Sequence, residues 1–399
     1  MKLQQLLTAA LTGLVCFGFL CADGQTTADG NTINIVTTAV PFLRVSPDAR
    51  VGGMGETGIA TAPADANSGF MNLAKIPFAE SKFQIGATYT PWLRKITQDV
   101  YLASLGGYYK IDDEQAINVG LRYFNLGNIQ FTSAEGNPNG EGRPRELGVD
   151  FGYTRKLSER MSLGVALRYI NSSLARGDVG QTGNVYKAGN SVAGDITLYH
   201  HGLDENGQGF NYGLAITNLG AKIGYTNNAQ AKDFIPANIG IGGAYTGVID
   251  EDSKITVAAD INHLLVPAPP ILSEDGSDST GDQQKLDDYR NMSVFESWFK
   301  SFGNNSYSIS LGAEFWYNNQ FSARGGYYWE TKEAGNRRYW TLGIGLKYNV
   351  FGFNFSYLVP SGGSGTTQNP LSSTLRFGVI FDLDPETNGG SGNGATGGQ

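Results

Sequence analysis

The chain has 399 residues, with 29 Lys and Arg against 37 Asp and Glu, a formal charge of −8 and a pI near 5.0. That acidic balance argues against a nucleic-acid partner. Both cysteines, Cys16 and Cys21, lie at the extreme N-terminus, and a mean hydropathy of −0.23 comes with no later run of about eighteen apolar residues. A chain processed beyond Cys21 therefore has no disulfide, thiolate metal site or cysteine nucleophile, and helical membrane spans are excluded.

The N-terminus reads as a secretory leader. Met1 and Lys2 give the positive end, Leu6 to Leu20 is mostly apolar, and Ala22, Asp23 and Gly24 form a small-residue cleavage site. This predicts a signal peptide over 1–24 and a mature start near Gln25. The apolar run is too short for an anchor and lacks a positive stop-transfer flank. Leu20 and Val15 precede the cysteines where lipidation wants a small residue.

Residues 37–80 carry no strand rhythm. Gly52-Gly53-Met54-Gly55, Ala60-Thr61-Ala62 and Ala64-Asp65-Ala66 are small and polar, which predicts a plug folded into a lumen. From Phe83 to Leu383, segments of roughly ten residues alternate apolar and polar, and many end in aromatics. In Lys254 to His263, Ile255, Val257, Ala259 and Ile261 point one way, while Thr256, Ala258, Asp260 and Asn262 point the other. Fourteen strands are expected, near 83–90, 101–110, 116–125, 146–157, 161–172, 190–199, 210–218, 237–247, 254–263, 306–316, 320–330, 338–348, 351–358 and 373–382. Short connections alternate with long ones at 126–145, 173–189, 219–236, 264–305 and 359–372. Beside an export signal, that rhythm is the mark of an all-β, fourteen-stranded antiparallel transmembrane barrel, with termini in the periplasm and long loops outside. The expected organisation is a signal peptide (1–24), an N-terminal segment or plug (25–82), the barrel (83–383) and a flexible Gly-rich tail (384–399).

The outward face of each strand is apolar, as in Leu342, Ile344, Leu346 and Tyr348. The partner faces carry Arg122, Asp150, Arg168, Asp195, Asp260, Glu314, Arg324, Lys347 and Arg376. Arg or Lys at the lipid midplane costs about 2–4 kcal/mol, so these charges are placed in the lumen as cross-lumen ion pairs. They either satisfy a filled barrel or line a ligand or ion path. Phe124, Tyr199, Trp316 and Tyr328 add bulk on the same face.

The loop 264–305 is the richest exposed segment. It opens on apolar Leu264, Leu265 and Val266, continues through acidic Glu274 to Asp288, and ends in Ser293 to Phe302. Ser293 with Glu296 forms a capping box, and Val294, Phe295, Trp298, Phe299 and Phe302 fall on one helical face. That face either packs on the rim as a lid or serves as an apolar docking surface. No catalytic motif is found. Adjacent His200 and His201 face opposite sides, Gly52 to Gly55 is no nucleotide fingerprint, and Asp275 to Asp278 lacks the closing Glu of a calcium loop. The chain is expected to be no enzyme and to use no cofactor.

Three stretches together resemble the PorV family of the Bacteroidetes type IX secretion system. They are Val40-Pro-Phe-Leu-Arg-Val-Ser-Pro-Asp-Ala-Arg-Val-Gly-Gly-Met-Gly55 with Gly58-Ile-Ala-Thr61, Tyr89-Thr-Pro-Trp-Leu-Arg94, and Leu121-Arg-Tyr-Phe-Asn-Leu-Gly127. One departure is Asn72-Leu73-Ala74-Lys75, where the family has Asn-Pro-Ala-Lys. The resemblance implies a FadL-like barrel and a non-enzymatic shuttle in the outer membrane. Such a shuttle binds the C-terminal signal domain of secreted cargo at a large translocon barrel and delivers it to a cell-surface attachment complex with a sortase-like enzyme. It would sit among lipid and lipopolysaccharide, with no nucleic-acid partner. On this reading Trp92, Leu93, Leu264, Leu265, Val266, Trp298, Phe299 and Phe302 form the cargo- and translocon-binding face. The alternative is a FadL-like transporter of hydrophobic small molecules.

Overall fold

A computed structural model describes residues 34–92, 97–132, 138–178, 185–227, 232–272, 279–361 and 374–384. The expected leader, Leu93 and most of the Gly-rich tail lie outside the described residues. The barrel strands are β1 (Phe83–Pro91), β2 (Val100–Lys110), β3 (Gln115–Leu126), β4 (Arg145–Lys156), β5 (Met161–Ser173), β6 (Gly189–His200), β7 (Gly209–Gly220), β8 (Asn238–Val248), β9 (Ser253–Leu264), β10 (Tyr307–Tyr317), β11 (Phe321–Glu330), β12 (Arg338–Tyr348), β13 (Phe351–Pro360) and β14 (Leu375–Asp382). Each pairs antiparallel with the next, and β14 returns to β1 through Ile85 opposite Phe381 and Ala87 opposite Val379, closing the barrel. Closure leaves no unpaired edge for lipid to meet.

Strand alternation sorts the side chains as the sequence predicts. On β9, Val257 and Ile261 are exposed on the outer wall, while Thr256, Ala258 and Asp260 are buried inside. β12 shows the full vertical order: Trp340 near the long-connection end, Leu342, Ile344 and Leu346 along the middle, and Tyr348 at the short-connection end, all exposed outward. Trp340 and Tyr348 are eight steps apart, roughly 26 Å of strand at about 3.3 Å per residue. Tilted, that length spans most of an apolar band about 25 Å tall with aromatic girdles above and below.

Short connections at 111–114, 157–160, 249–252, 318–320 and 349–350 alternate with longer ones. Asn318, Asn319 and Asn349 take left-handed conformations in the tight turns 318–320 and 349–350, a conformation Asn tolerates well. Three long connections carry small hairpins that the sequence reading did not anticipate: Ile129–Thr132 with Pro138–Gly142, Gly177–Asp178 with Val185–Tyr186, and Ile223–Gly224 with Lys232–Asp233. The loop between β9 and β10 carries two helices. Helix α2 (Ser279–Asn291) was not anticipated, and α3 (Val294–Lys300) is capped by Ser293, whose hydroxyl accepts from the Glu296 amide at 3.1 Å.

Before β1, the chain makes 3-10 turns at Pro41–Arg44, Ser68–Phe70 and Leu73–Phe78 and one short helix, α1 (Ala49–Gly53). Asp48 caps α1 by accepting from the Arg50 amide at 2.9 Å. α1 lies against β11 to β14, while the Leu73–Phe78 turn lies against β3 to β6. The segment crosses the lumen and touches opposite walls. Its small residues follow from that crowding: Gly55 has φ 67, and a Cβ there would collide with the backbone of Leu311 and Tyr327.

Candidate functional surfaces: the plugged lumen and the long-loop face

The lumen charges are buried, as expected, but their pairing is a correction to the sequence reading. They do not reach across an open lumen. One set forms a ladder between neighbouring strands: Arg122 on β3 lies 3.5 Å from Asp150 on β4, Asp150 pairs with Arg168 on β5, and Arg168 meets Asp195 on β6 at 2.8 Å. The other set joins plug to wall. Arg50 of α1 donates to both oxygens of Glu314 at 2.9 and 2.7 Å, and Arg324 donates to the same carboxylate at 2.7 Å. Glu56 takes Arg376 at 2.7 Å. Asp260 needs no cation, because the amides of Gly58 and Ile59 donate to it at 2.7 and 3.1 Å. The physical reason is space: with the plug in place the lumen centre is chain, so each wall charge finds its partner beside it or on the plug. Lys347 departs from this pattern, being half-exposed at the short-connection end and 3.7 Å from Glu80.

The ladder continues into β7, where the register slips. Ile196 faces Ile216 but Gly194 faces Leu219, and Asn218 in this bulge has φ 58. The bulge turns Asn218 inward, so its amide donates to Asp195 at 2.7 Å and its side chain donates to the Pro236 carbonyl at 3.1 Å. Arg122 also donates to the Leu43 carbonyl at 3.2 Å and stacks over the Phe70 ring, tying the ladder to the plug. Between the plug and the wall from β7 to β14, a gap of about 120 Å³ remains, lined among others by Ile59, Asn218, Ser310 and Tyr328. That is room for a few waters.

Sequence reasoning missed Arg50 and Glu56, because no periodic pattern marks plug residues. It also missed Glu330, which receives Arg337 at 2.7 Å and Tyr328 at 2.9 Å. Strand parity with Tyr328 was the available signal. The histidines sit apart, with His200 stacked on Tyr212 and His201 on Phe78. Burial and the nearby Lys156 charge hold the His201 imidazole below its usual pKa. Among the described residues, no group of three His, Cys, Asp or Glu is placed to hold a metal.

The residues expected to form the binding face separate into two groups. Leu264, Leu265 and Val266 are buried, Leu264 and Val266 packing with Val36 and Phe234, so they hold the loop down and offer no surface. Trp92 is half-buried and turned inward, edge-on to Phe124 and packed near Tyr328, Tyr339 and Leu358. The other group is exposed. α3 and the 3-10 turn that follows it (Ser301–Gly303) bury Ser297 and Ser301 and present Phe299 63% and Phe302 59% exposed, with Phe295 at 67% beside them. Phe295 and Phe299 meet edge-on at 5.0 Å, and Trp298 is half-buried behind Phe295 at 6.0 Å. Phe302 stacks on His263 at 5.3 Å, and His263 continues the outward face of β9. The aromatic surface is therefore continuous with the outer wall. The loop beneath it is fixed: Asn304 donates to the Val266 carbonyl at 2.6 Å, Tyr289 to the Pro267 carbonyl at 3.4 Å, and Lys222 to the Arg290 carbonyl at 2.9 Å.

A closed fourteen-stranded barrel with an apolar outer wall and a plug held in its lumen by ion pairs has the build of an outer-membrane β-barrel. The chain resembles the crystal structure of the Pseudomonas putida toluene transporter TodX at a TM-score of 0.50 and 13% identity, covering 88% of this chain and 99% of that one. It also resembles a Pseudomonas aeruginosa FadL homologue (TM-score 0.49, 11% identity, 88% and 100% covered). At such identities the likeness is one of fold. No protein of curated function matches the chain. Residues 27–271, more than half of the chain, match the family described as type IX secretion system protein PorV, and the chain belongs to that family.

Proposed function

We infer from membership of the PorV family that the chain works in type IX secretion at the outer membrane. We propose that it acts there as a carrier, not a conduit: it binds the C-terminal signal domain of secreted cargo at the large translocon barrel and passes it to the attachment complex with its sortase-like enzyme. In this reading the short connections and both termini face the periplasm and the long connections face outside. No chemistry is performed on the cargo.

The observation that carries the proposal is the pairing of a filled lumen with an exposed aromatic surface. Arg50 and Glu56 lock the plug to the wall, so the interior has no room for a polypeptide. Phe295, Phe299 and Phe302 leave a contiguous apolar patch at the long-connection rim, the kind of patch that marks an interaction site. Its continuity with the outer wall at His263 suits a neighbouring barrel seated side by side. Aromatic anchors in such interfaces commonly cost about 2 kcal/mol or more when truncated.

The continuity with the wall also supports a second reading, in which lipid or lipopolysaccharide covers the patch. Changing Phe295, Phe299 and Phe302 to Ser separates the two. The carrier reading expects folded, heat-resistant barrels in the outer membrane, loss of the translocon on co-purification, and cargo retained or left unattached. Normal secretion and anchoring by folded variants would put the binding face elsewhere. Normal secretion with easier extraction from the membrane would identify lipid as the occupant.

A further inference from the structure

A cavity of about 470 Å³ opens at the long-connection end, between residues 37–41, the ends of β3 to β5 and the connection following β7. Its wall is largely apolar, with Val40, Phe124, Leu126, Leu174 and Phe234 among the lining residues. Tyr289 of α2 also lines it and packs edge-on against Phe234. Two charged residues line the cavity, Glu146 and Asp233, and both are acidic.

Glu146 is the unusual group. It is the second residue of β4, and strand alternation turns it inward opposite Leu147, leaving it 2% exposed. The Ser172 hydroxyl donates to one of its oxygens at 2.8 Å, and Tyr225 donates to that hydroxyl at 3.1 Å. Among the described residues, no cation lies within ion-pair distance of Glu146. Other buried carboxylates are better satisfied: Asp150, Asp195, Glu314 and Glu330 each meet at least one arginine, Asp260 takes two backbone amides, and Asp382 takes the Ser81 hydroxyl and the Gln84 amide. A carboxyl facing an apolar cavity with a single hydroxyl partner is poorly satisfied, and an arriving cation relieves it. A few polar groups in an otherwise apolar pocket is the usual composition of a small-molecule site.

We propose that this cavity binds a small organic cation, with its ammonium group against Glu146 and its apolar body against Val40, Phe124, Leu174 and Phe234. Asp233 is exposed nearby, but the Lys222 ammonium lies 3.9 Å from the Phe234 ring centroid, so the preference for a cation rests on Glu146. A carboxylate ligand would bring like charges together, and a neutral one would leave the Glu146 charge unmatched. The site stands independently of the carrier reading, since it uses none of the exposed aromatic surface.

The test is isothermal titration of the purified full chain in non-ionic detergent with 4-phenylbutylamine, 4-phenylbutanol and 4-phenylbutanoate. These share one apolar body and differ in charge. The amine should saturate at one per barrel and bind at least about tenfold tighter than either analogue, a difference of about 1.4 kcal/mol. Glu146→Gln should erase that preference. Leu174→Trp, just beyond β5 and 38% exposed, should block the cavity and abolish amine binding in a barrel that still resists heat on gels. Non-saturable uptake of the amine, equal binding of amine and alcohol, or unchanged amine affinity in Leu174→Trp would overturn the proposal. Should Glu146→Gln fail to fold, the analogue series and the Leu174 variant decide it.

Discussion

Glu314 shows how a single residue holds this molecule together. Its carboxylate is wholly buried between Arg50 of the plug and Arg324 of the wall, and both arginines donate to it at short distance. Glu314→Ala removes the carboxylate that two buried guanidinium groups share, and breaking a buried pair costs about 3–5 kcal/mol. Urea unfolding in lipid vesicles should register a loss of that size. By contrast Glu114, 61% exposed and 3.6 Å from an equally exposed Arg155, belongs to a turn, and Glu114→Ala should leave the unfolding midpoint unchanged. At this scale the sequence revealed which charges enter the lumen, because lipid forbids them the outer face. It did not reveal their partners. Arg50 and Glu56 sit in an aperiodic segment, and only the folded plug brings them to Glu314 and Arg376. Glu146 follows the same parity as Asp150 and could have been found by continuing the alternation one step towards the loop.

Elements were legible in proportion to their periodicity. All fourteen barrel strands fall within a residue or two of their expected ranges, because each strand must bury one face and give the other to lipid. The helix α3 was legible from its capping box and aromatic spacing. α2 was not: its sequence from Ser279 to Asn291 is polar on nearly every face, and Tyr289 alone ties it to the hydrophobic cluster under the loop. Removing α2 would therefore take Tyr289 with it and loosen the base of the patch. A gentler probe is Ser293→Ala. Losing an N-cap costs about 1 kcal/mol. Amide exchange over Val294–Lys300 should then accelerate about fivefold with the barrel strands unaffected, whereas unchanged exchange would mean that Ser297 and Ser301 packing alone fixes the helix.

At the scale of the whole molecule, the even strand number and the alternation of short and long connections made the barrel legible, and a lumen full of plug is the feature on which the carrier proposal rests. α1 presses on β11 to β14 while Leu73–Phe78 presses on β3 to β6, so the plug is clamped from opposite walls. The full chain in planar bilayers should therefore give no large, stable single-channel currents. A chain lacking residues 34–80, refolded into the same bilayers, should conduct. Large currents from the intact protein would mean that the plug leaves the lumen readily.

The central claim is that cargo and translocon meet the long-loop surface and never the interior. Photo-crosslinking in cells tests it most directly, with the crosslinking residue placed in turn at Phe299, exposed on α3, and at Ser310, buried in the lumen. The account predicts adducts with cargo or with the translocon barrel from position 299 and none from position 310. Cargo adducts from position 310 would contradict it, because they would put the polypeptide inside the barrel.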